Sequence, residues 1–330
     1  MRRSVNQQAA GEEGGQRMRN RRSWAIVILV VVFVGLSVAA CALLWRAAGT
    51  ASAPTVGFGD AVGVIPVEGV IASGFPDSLT STSGTVYSGR VIEYLQQAEA
   101  DHSVKAIVLR VDSPGGGVVG SDEIHQQMLA MTKPVVVSMG EMAASGGYFI
   151  SAPADEIMAN RNTLTGSIGV ISQFISLDEF LEKNGISATT IVSGEFKASG
   201  NMFEEMSAED QAIWQAIIDD AFEDFVGVVS EGRGMSEAEV LELADGRVFT
   251  GEQAQQVGLV DSLGNLPDAI SRAAELGGIE GEPRIVEYRP PPGFLESLLG
   301  MQGRAVPGEA LLRQLLNEGR PVLMYLYTGG

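Results

Sequence analysis

The sequence is poor in the side chains that most often act as catalytic bases or metal ligands. It contains one cysteine, two histidines and four lysines in 330 residues. The single cysteine, Cys41, excludes an intrachain disulfide and a metal site built from cysteines. His102 lies in a polar turn and His125 lies among polar residues, so both are predicted at the surface. A Ser-His-Asp triad is therefore not expected.

Basic charge is scarce as well. The formal net charge is −19, which argues against a nucleic-acid-binding protein because phosphate neutralisation needs a basic surface. The charge is also uneven. Residues 1–46 hold seven arginines and two glutamates, which leaves 15 basic against 39 acidic residues, a formal charge of −24, in the rest of the chain. Attraction to anionic lipid is therefore not expected to hold that part at a membrane.

One long apolar run stands out near the N-terminus. Residues 24–45, WAIVILVVVFVGLSVAACALLW, carry no charge and as a helix would span about 30 Å, the thickness of a bilayer core. Six arginines precede the run and one follows it, so the positive-inside rule places the N-terminus in the cytoplasm. We predict a basic cytoplasmic tail at 1–23, a single transmembrane helix at 24–45 in the cell membrane, and the remainder on the outer face.

Two other interpretations of this run stay open. A cleaved secretory signal would have a shorter apolar region and a small-residue cleavage site, whereas this run ends in Leu43, Leu44 and Trp45. The residues from Val38 to Cys41 resemble a lipobox, after which Cys41 would carry lipid, but apolar residues continue beyond the cysteine. Either alternative leaves the following domain on the outer face of the membrane.

After a small-residue linker at 46–60, the chain has the pattern of a parallel α/β domain. Near-continuous apolar runs, typical of strands buried on both faces, alternate with helical patterns. The predicted strands lie at 62–71, 106–111, 134–139, 156–159, 167–171 and 188–192, and the predicted helices at 88–100, 120–131, 207–230, 236–244, 251–257 and 266–276. We assign 61–280 to this domain and 281–330 to an appended tail segment.

The segment MAASGGY, residues 142–148, directly follows a predicted buried strand. Small residues around Ser145 leave room for a substrate backbone, and Gly146 offers a backbone amide next to the serine. A nucleophile beside an oxyanion hole needs this arrangement. A small-residue helix start packed on a sheet would have the same sequence, so the motif is ambiguous by itself.

A glycine-rich turn, DSPGGG at residues 112–117, lies between a predicted strand and a predicted helix. Its glycines can expose backbone amides, and the following helix N-terminus adds positive potential, so the turn favours an anion. An ordinary turn between a strand and a helix would look the same. The turn matches neither of the two common glycine-rich nucleotide motifs, so a nucleotide site is poorly supported.

Among the four lysines, Lys197 has an unusual setting. Lys105, Lys133 and Lys183 lie at predicted strand or helix ends, where solvated cations are common, whereas Lys197 lies in the small-residue stretch GEFKASG. A lysine side chain acts as a general base only when it is neutral, which requires a pKa well below about 10.4. A hydroxyl can hold such an amine in line, and Ser167 in LTGSIG is a candidate.

Taken together, these segments closely resemble the signal peptide peptidase A family, membrane-anchored Ser–Lys peptidases with a ClpP/crotonase-like fold. The resemblance runs from about residue 62 to 276 and is carried by LRVDSPGGGV, MAASGGYFISAPAD, LTGSIGVI, FKASG and GRVFTGEQAQQVGLVDSLG. The order of these segments and the gap between Ser145 and Lys197 match the short form of the family. The implied fold class is α/β, a ββα superhelix with parallel sheets.

The resemblance implies a role for each candidate residue. Ser145 is the implied nucleophile, Lys197 the general base and Ser167 the hydroxyl that orients the lysine, while Gly116 and Gly146 are the implied oxyanion-hole donors. It also implies degradation of cleaved signal peptides and other apolar peptides at the membrane, without a metal or cofactor. In the short form, ring-shaped homo-oligomers place the serine of one protomer near the lysine of the next.

Two functions of other classes remain as alternatives. A crotonase-like acyl-CoA enzyme would share the implied fold, but the predicted membrane anchor and the Ser145 and Lys197 pair oppose it. A catalytically silent membrane scaffold would leave both residues without a role. A further hypothesis concerns the apolar stretch VLMYLY at 322–327, which resembles a peptide substrate and can occupy a catalytic cleft.

Overall fold

A computed structural model describes residues 59–75, 84–289 and 324–326. The predicted transmembrane helix at 24–45, Cys41 and most of the linker and tail lie outside these residues. None of the helices in the described ranges combines the length and the apolar character that a bilayer crossing requires.

Strands and helices alternate along the described chain. The strands are β1 (Ala61–Glu68), β2 (Val70–Ala72), β3 (Thr85–Tyr87), β4 (Val104–Ser113), β5 (Gly115–Gly117), β6 (Val135–Ala144), β7 (Glu156–Ala159), β8 (Leu164–Gly166), β9 (Val248–Thr250), β10 (Ser262–Leu263), β11 (Arg284–Glu287) and β12 (Met324–Leu326). The helices are α1 (Ser88–Ala100), α2 (Val118–Leu129), α3 (Gly146–Phe149), α4 (Asp178–Lys183), α5 (Ala208–Arg233), α6 (Glu237–Leu243), α7 (Gly251–Gln256) and α8 (Leu266–Leu276), with a 3₁₀ helix at Glu195–Ala198.

A mostly parallel sheet forms the centre of the domain, as the sequence predicts. Its strands follow the order β10-β7-β6-β4-β1-β11, and every neighbouring pair in this order is parallel. Strand β8 pairs with the distal half of β6 and, in antiparallel fashion, with β9. Mixed α/β architecture with parallel sheets is consistent with the ClpP/crotonase-like fold that the resemblance implies.

Both faces of this sheet are covered, which explains the near-continuous apolar runs. Along β4, Ile107 and Leu109 join one buried cluster, whereas Ala106 and Val108 join a second cluster. The first cluster also contains Phe149 and residues of α5, and the second contains Ala269, Ala273 and Ala274 of α8. The predicted helix at 266–276 is confirmed, and a capping box from Ser207 begins α5.

Strand β5 belongs to a second, smaller sheet of four strands. Its order is β12-β5-β2-β3, so the run predicted as one strand at 62–71 is in fact two strands in different sheets. Gly69 separates them with φ of 97°, a conformation that favours glycine. Residues 115–117, predicted as part of a glycine-rich turn, form a strand that pairs with β12 on one side and β2 on the other.

Two predicted strands are wrong. Residues 188–192 form no strand and lie exposed, because no partner strand in the described chain lies beside them and β-propensity acts only through pairing and burial. Residues 167–171 contain only an isolated bridge at Ile171, since positive φ angles at Gly166 and Ser167 end β8 before this segment. In addition, β11 adds an edge strand to the main sheet from residues beyond 280.

Candidate active site

Ser145 lies at a sharp turn between a strand and a helix. It follows the last residue of β6 and precedes the first residue of α3, and only 1% of its surface is exposed. Its φ of 54° and ψ of −118° lie outside the regions that residues with a Cβ normally adopt. A backbone of this kind costs about 1–3 kcal/mol and persists only where its surroundings hold it in place.

Hydrogen bonds on both sides hold this turn. The Ser145 amide donates to the Gly166 carbonyl at 2.7 Å, and the Ser145 carbonyl accepts from the amides of Tyr148 and Phe149 at 2.9 and 2.8 Å. A strained serine between a parallel strand and a helix is the geometry of a nucleophile elbow, which presents the hydroxyl at the sheet edge.

The two predicted oxyanion-hole glycines lie close together. A methyl group placed on the Cα of Gly146 would lie 3.1 Å from the Gly116 nitrogen. Gly115 and Gly116 have no room for a side chain. A Cβ on Gly115 would lie 2.6 Å from the Gly146 nitrogen, and a Cβ on Gly116 would lie 2.0 Å from the Ile71 carbonyl oxygen. Glycine is required here because three backbone segments approach one another closely.

The C-terminal strand β12 lies directly against this cluster. It pairs in antiparallel fashion with β5, with Tyr325 opposite Gly116, and Met324 exchanges two 3.1 Å backbone hydrogen bonds with Ile171 on its other side. The Tyr325 carbonyl oxygen lies 2.0 Å from the Cβ point of Gly115 and 3.1 Å from that of Gly146. An extended peptide thus lies between two backbone segments, with its Tyr325 carbonyl beside Gly115 and Gly146.

The Tyr325 side chain fills an aromatic pocket. Its ring stacks on Phe149 at 4.9 Å and lies 4.7 Å from Phe225, and its hydroxyl donates to the Ala221 carbonyl at 2.7 Å. Only 1% of the residue is exposed, and this burial raises the pKa of Tyr325. This pocket could not be predicted from the sequence: Phe149 lies four residues after Ser145, but Phe225 comes from the distant helix α5.

Ser167 lies next to the nucleophile turn. The carbonyl of the preceding residue, Gly166, accepts a hydrogen bond from the Ser145 amide. The Ser167 amide donates to the Arg247 carbonyl at 2.8 Å. Ser167 is buried and has φ of 50°, the second non-glycine residue with positive φ in the described chain. The structure therefore brings four predicted site residues to one place: Ser145, Ser167, Gly116 and Gly146.

Lys197 is placed differently. It lies in the exposed 3₁₀ helix Glu195–Ala198, and within the described ranges no hydrogen bond joins its amine to Ser145 or Ser167. The surrounding segment, residues 175–217, carries an unusual number of exposed apolar side chains. They are Ile175, Phe180, Ile186, Ile191, Val192, Phe196, Met202, Phe203, Ile213 and Ile217. Exposed apolar surface of this extent is typical of an interaction site.

One histidine differs from its prediction. His125 is buried with 6% of its surface exposed, because the face of α2 that carries Ile124 and Met128 packs into the core and His125 lies beside it. Its ring meets Phe149 edge-on at 5.2 Å, and burial lowers the pKa of the imidazole. His102 is exposed, as predicted.

A strained serine at the end of a parallel strand, with backbone amides beside it, is typical of enzymes that transfer acyl groups through a serine nucleophile. Sequence comparisons agree with this class. The family model described as Peptidase family S49 matches residues 127–280. A protein of Enterococcus faecium, provisionally named signal peptide peptidase SppA, is 36% identical over 240 residues, which are 72% of this chain and 69% of the relative.

Two further relatives carry protease names. A provisionally named protease of Synechocystis is 42% identical over 203 residues, 60% of this chain and 73% of the relative. Protease 4 of Haemophilus influenzae is 39% identical over 218 residues, 65% of this chain but only 34% of that longer protein. The chain belongs to peptidase family S49, the family of signal peptide peptidase SppA. Its membership supports a serine peptidase over an acyl-CoA enzyme.

Proposed function

We propose that the protein is a membrane-anchored serine endopeptidase that cleaves extended apolar peptides with Ser145 as nucleophile and Lys197 as general base. One observation carries the proposal: a peptide strand of the chain itself lies along β5 with the Tyr325 carbonyl beside Gly116 and Gly146. A substrate that binds in the same way would present its scissile carbonyl to Ser145.

The proposed reaction is an acyl transfer through Ser145. As the Ser145 Oγ attacks the carbonyl carbon, its proton passes to the neutral amine of Lys197, and the carbonyl electron pair moves onto the oxygen. The amides of Gly116 and Gly146 donate to this oxyanion. The protonated lysine then gives its proton to the departing amine, and water hydrolyses the acyl-enzyme with the lysine again acting as base.

The lysine is proposed to come from a second copy of the chain. In one copy Ser145 is buried, whereas Lys197 lies on the exposed apolar segment 175–217. Association of copies through that segment would bury its apolar side chains and desolvate the Lys197 amine, which favours the neutral form that a base needs. Ser167 would then orient the amine. This arrangement agrees with the ring-shaped homo-oligomer that the resemblance implies.

The membrane role rests on the sequence. The apolar run at 24–45 would anchor the chain in the cell membrane, and the arginines of the tail at 1–23 would keep the N-terminus in the cytoplasm. The peptidase domain would then act on the outer face. Signal-peptide remnants are the proposed substrates because they are extended apolar peptides at the same membrane.

The peptide preference tests the proposed function. Synthetic peptides with the sequence of residues 320–330 would be incubated with the full chain in detergent micelles, with tyrosine, phenylalanine or aspartate at the position of Tyr325. We expect cleavage after this position, with tyrosine a few-fold better than phenylalanine because of the Ala221 carbonyl, and aspartate about 100-fold worse. Equal cleavage of all three peptides, or cleavage that persists in Ser145→Ala, would contradict the proposal.

The tail strand is expected to compete with substrate. Because β12 is part of the same chain, its effective concentration at the site is on the order of millimolar. Tyr325→Asp, which places a charge in the aromatic pocket, should release the strand and raise the rate about tenfold at low substrate concentration. Tyr325→Phe keeps the ring and serves as the matched control with a smaller increase. An unchanged rate for Tyr325→Asp and for deletion of 320–330 would overturn this hypothesis.

A further inference from the structure

A third serine lies at the predicted oxyanion hole. Ser121 lies in the first turn of α2, the helix that directly follows the glycines of β5. It is completely buried. Its Oγ lies 2.6 Å from the point that a Cβ on Gly146 would occupy. The Gly116 nitrogen and the Tyr325 carbonyl oxygen each lie 3.1 Å from that same point. The absent side chain of Gly146 therefore leaves a space that all three atoms border.

The Ser121 hydroxyl has no hydrogen-bond partner among the described residues. A helical serine usually bonds back to a carbonyl one turn earlier, and a buried hydroxyl without a partner costs about 1–3 kcal/mol. Two other buried serines near the site are satisfied: Ser113 donates to the Gly69 carbonyl and Ser151 to the Gly147 carbonyl, each at 2.6 Å. We therefore expect the Ser121 hydroxyl to gain a hydrogen-bond acceptor during the reaction.

We propose that Ser121 is a catalytic residue, the third donor of the oxyanion hole. This inference rests on the proposed peptidase function. When Ser145 attacks, the carbonyl carbon becomes tetrahedral and its oxygen moves while it gains negative charge. The Ser121 hydroxyl then donates to this oxygen together with the amides of Gly116 and Gly146, and no proton is transferred.

The expected kinetic signature follows from this geometry. The Ser121 hydroxyl has no partner while the substrate carbonyl is planar and gains one when the carbon becomes tetrahedral. It therefore stabilises the transition state more than the bound substrate. Such an interaction raises kcat and leaves KM nearly unchanged. Removing one donor from an oxyanion hole lowers kcat by about 100-fold to 1000-fold in enzymes with two donors, so a third donor is expected to contribute about 10-fold to 100-fold.

Ser121→Ala tests the inference in the full chain. We expect kcat for the tyrosine peptide to fall about 10-fold to 100-fold, KM to change less than twofold, and the melting temperature to stay equal or rise, because an unpaired buried hydroxyl is removed. Ser151→Ala is the matched control: it removes a paired buried hydroxyl, so it should lower the melting temperature and leave kcat unchanged. Ser121→Cys, with a weaker donor of similar size, should lie between serine and alanine.

A tetrahedral inhibitor separates this inference from a packing effect. A peptide aldehyde that ends in tyrosine should bind Ser121→Ala more weakly than wild type by the same factor as kcat falls, because its adduct places an oxyanion in the hole. Wild-type kcat and aldehyde affinity in Ser121→Ala would refute the role of Ser121. If wild type itself shows no activity that depends on Ser145, the proposed function fails instead.

Discussion

Replacing Ser145 with alanine is expected to lower kcat/KM for the tyrosine peptide by about 10,000-fold or more, because no other hydroxyl is held at the elbow to form the acyl-enzyme. The folded structure should persist, since the hydrogen bonds of this turn use the Ser145 backbone rather than its side chain. Hydrolysis rates and thermal unfolding of the full chain in detergent provide the measurement.

A glycine at the same position gives a matched comparison. Alanine retains the Cβ and therefore the strained φ of 54°, whereas glycine adopts this conformation without penalty. Ser145→Gly should thus be as inactive as Ser145→Ala but more stable by about 1–2 kcal/mol. Full activity in either variant would contradict the nucleophile assignment, because turnover would then not depend on this serine. An absence of turnover in the wild type as well would favour the silent scaffold.

Mixing two inactive variants is expected to restore activity. If each site takes its serine from one copy and its lysine from the next, Ser145→Ala and Lys197→Ala are both inactive alone. In rings assembled at random from equal amounts, a site is complete when a Lys197→Ala copy supplies the serine and a Ser145→Ala copy supplies the lysine. About a quarter of the sites meet this condition, so about a quarter of wild-type activity should return.

The controls use the double variant Ser145→Ala/Lys197→Ala. Mixed with either single variant it provides no complete site, so activity should stay at background. Co-expression and joint purification of differently tagged chains ensure that mixed oligomers are assayed. A mixture that stays inactive although both tags are present in one oligomer would place serine and lysine within one copy, and the exposed segment 175–217 would then have to rearrange.

Much of the fold could be predicted from the sequence because both faces of the sheet are buried. The run at 106–111 lies within β4, the run at 134–139 begins one residue before β6, and the helix patterns at 88–100 and 266–276 match α1 and α8. Periodicity could not reveal that Gly69 divides the first run between two sheets. Periodicity also predicted a strand at 188–192 that does not form, because the β-branched residues there have no partner strand among the residues that the structure describes.

The candidate site could be predicted in part. Small residues around Ser145 predicted room for a substrate backbone, and the glycines at 115–117 predicted exposed backbone amides. The structure brings these two segments together. The aromatic pocket depends on α5, whose residues Ala221 and Phe225 are far from Ser145 in sequence and meet it only through folding. Ser121 gave no sequence signal, since an unpaired hydroxyl is recognisable only from its surroundings.

Covalent labelling of the nucleophile tests the central claim most directly. The full chain in detergent micelles would react with a peptidyl phosphonate that ends in tyrosine, and the labelled residue would be located by mass spectrometry. We predict one adduct per chain, on Ser145, that is lost in Ser145→Ala. An adduct on another residue, or unlabelled Ser145 in a preparation that still hydrolyses the tyrosine peptide, would contradict the assignment of Ser145 as the catalytic nucleophile.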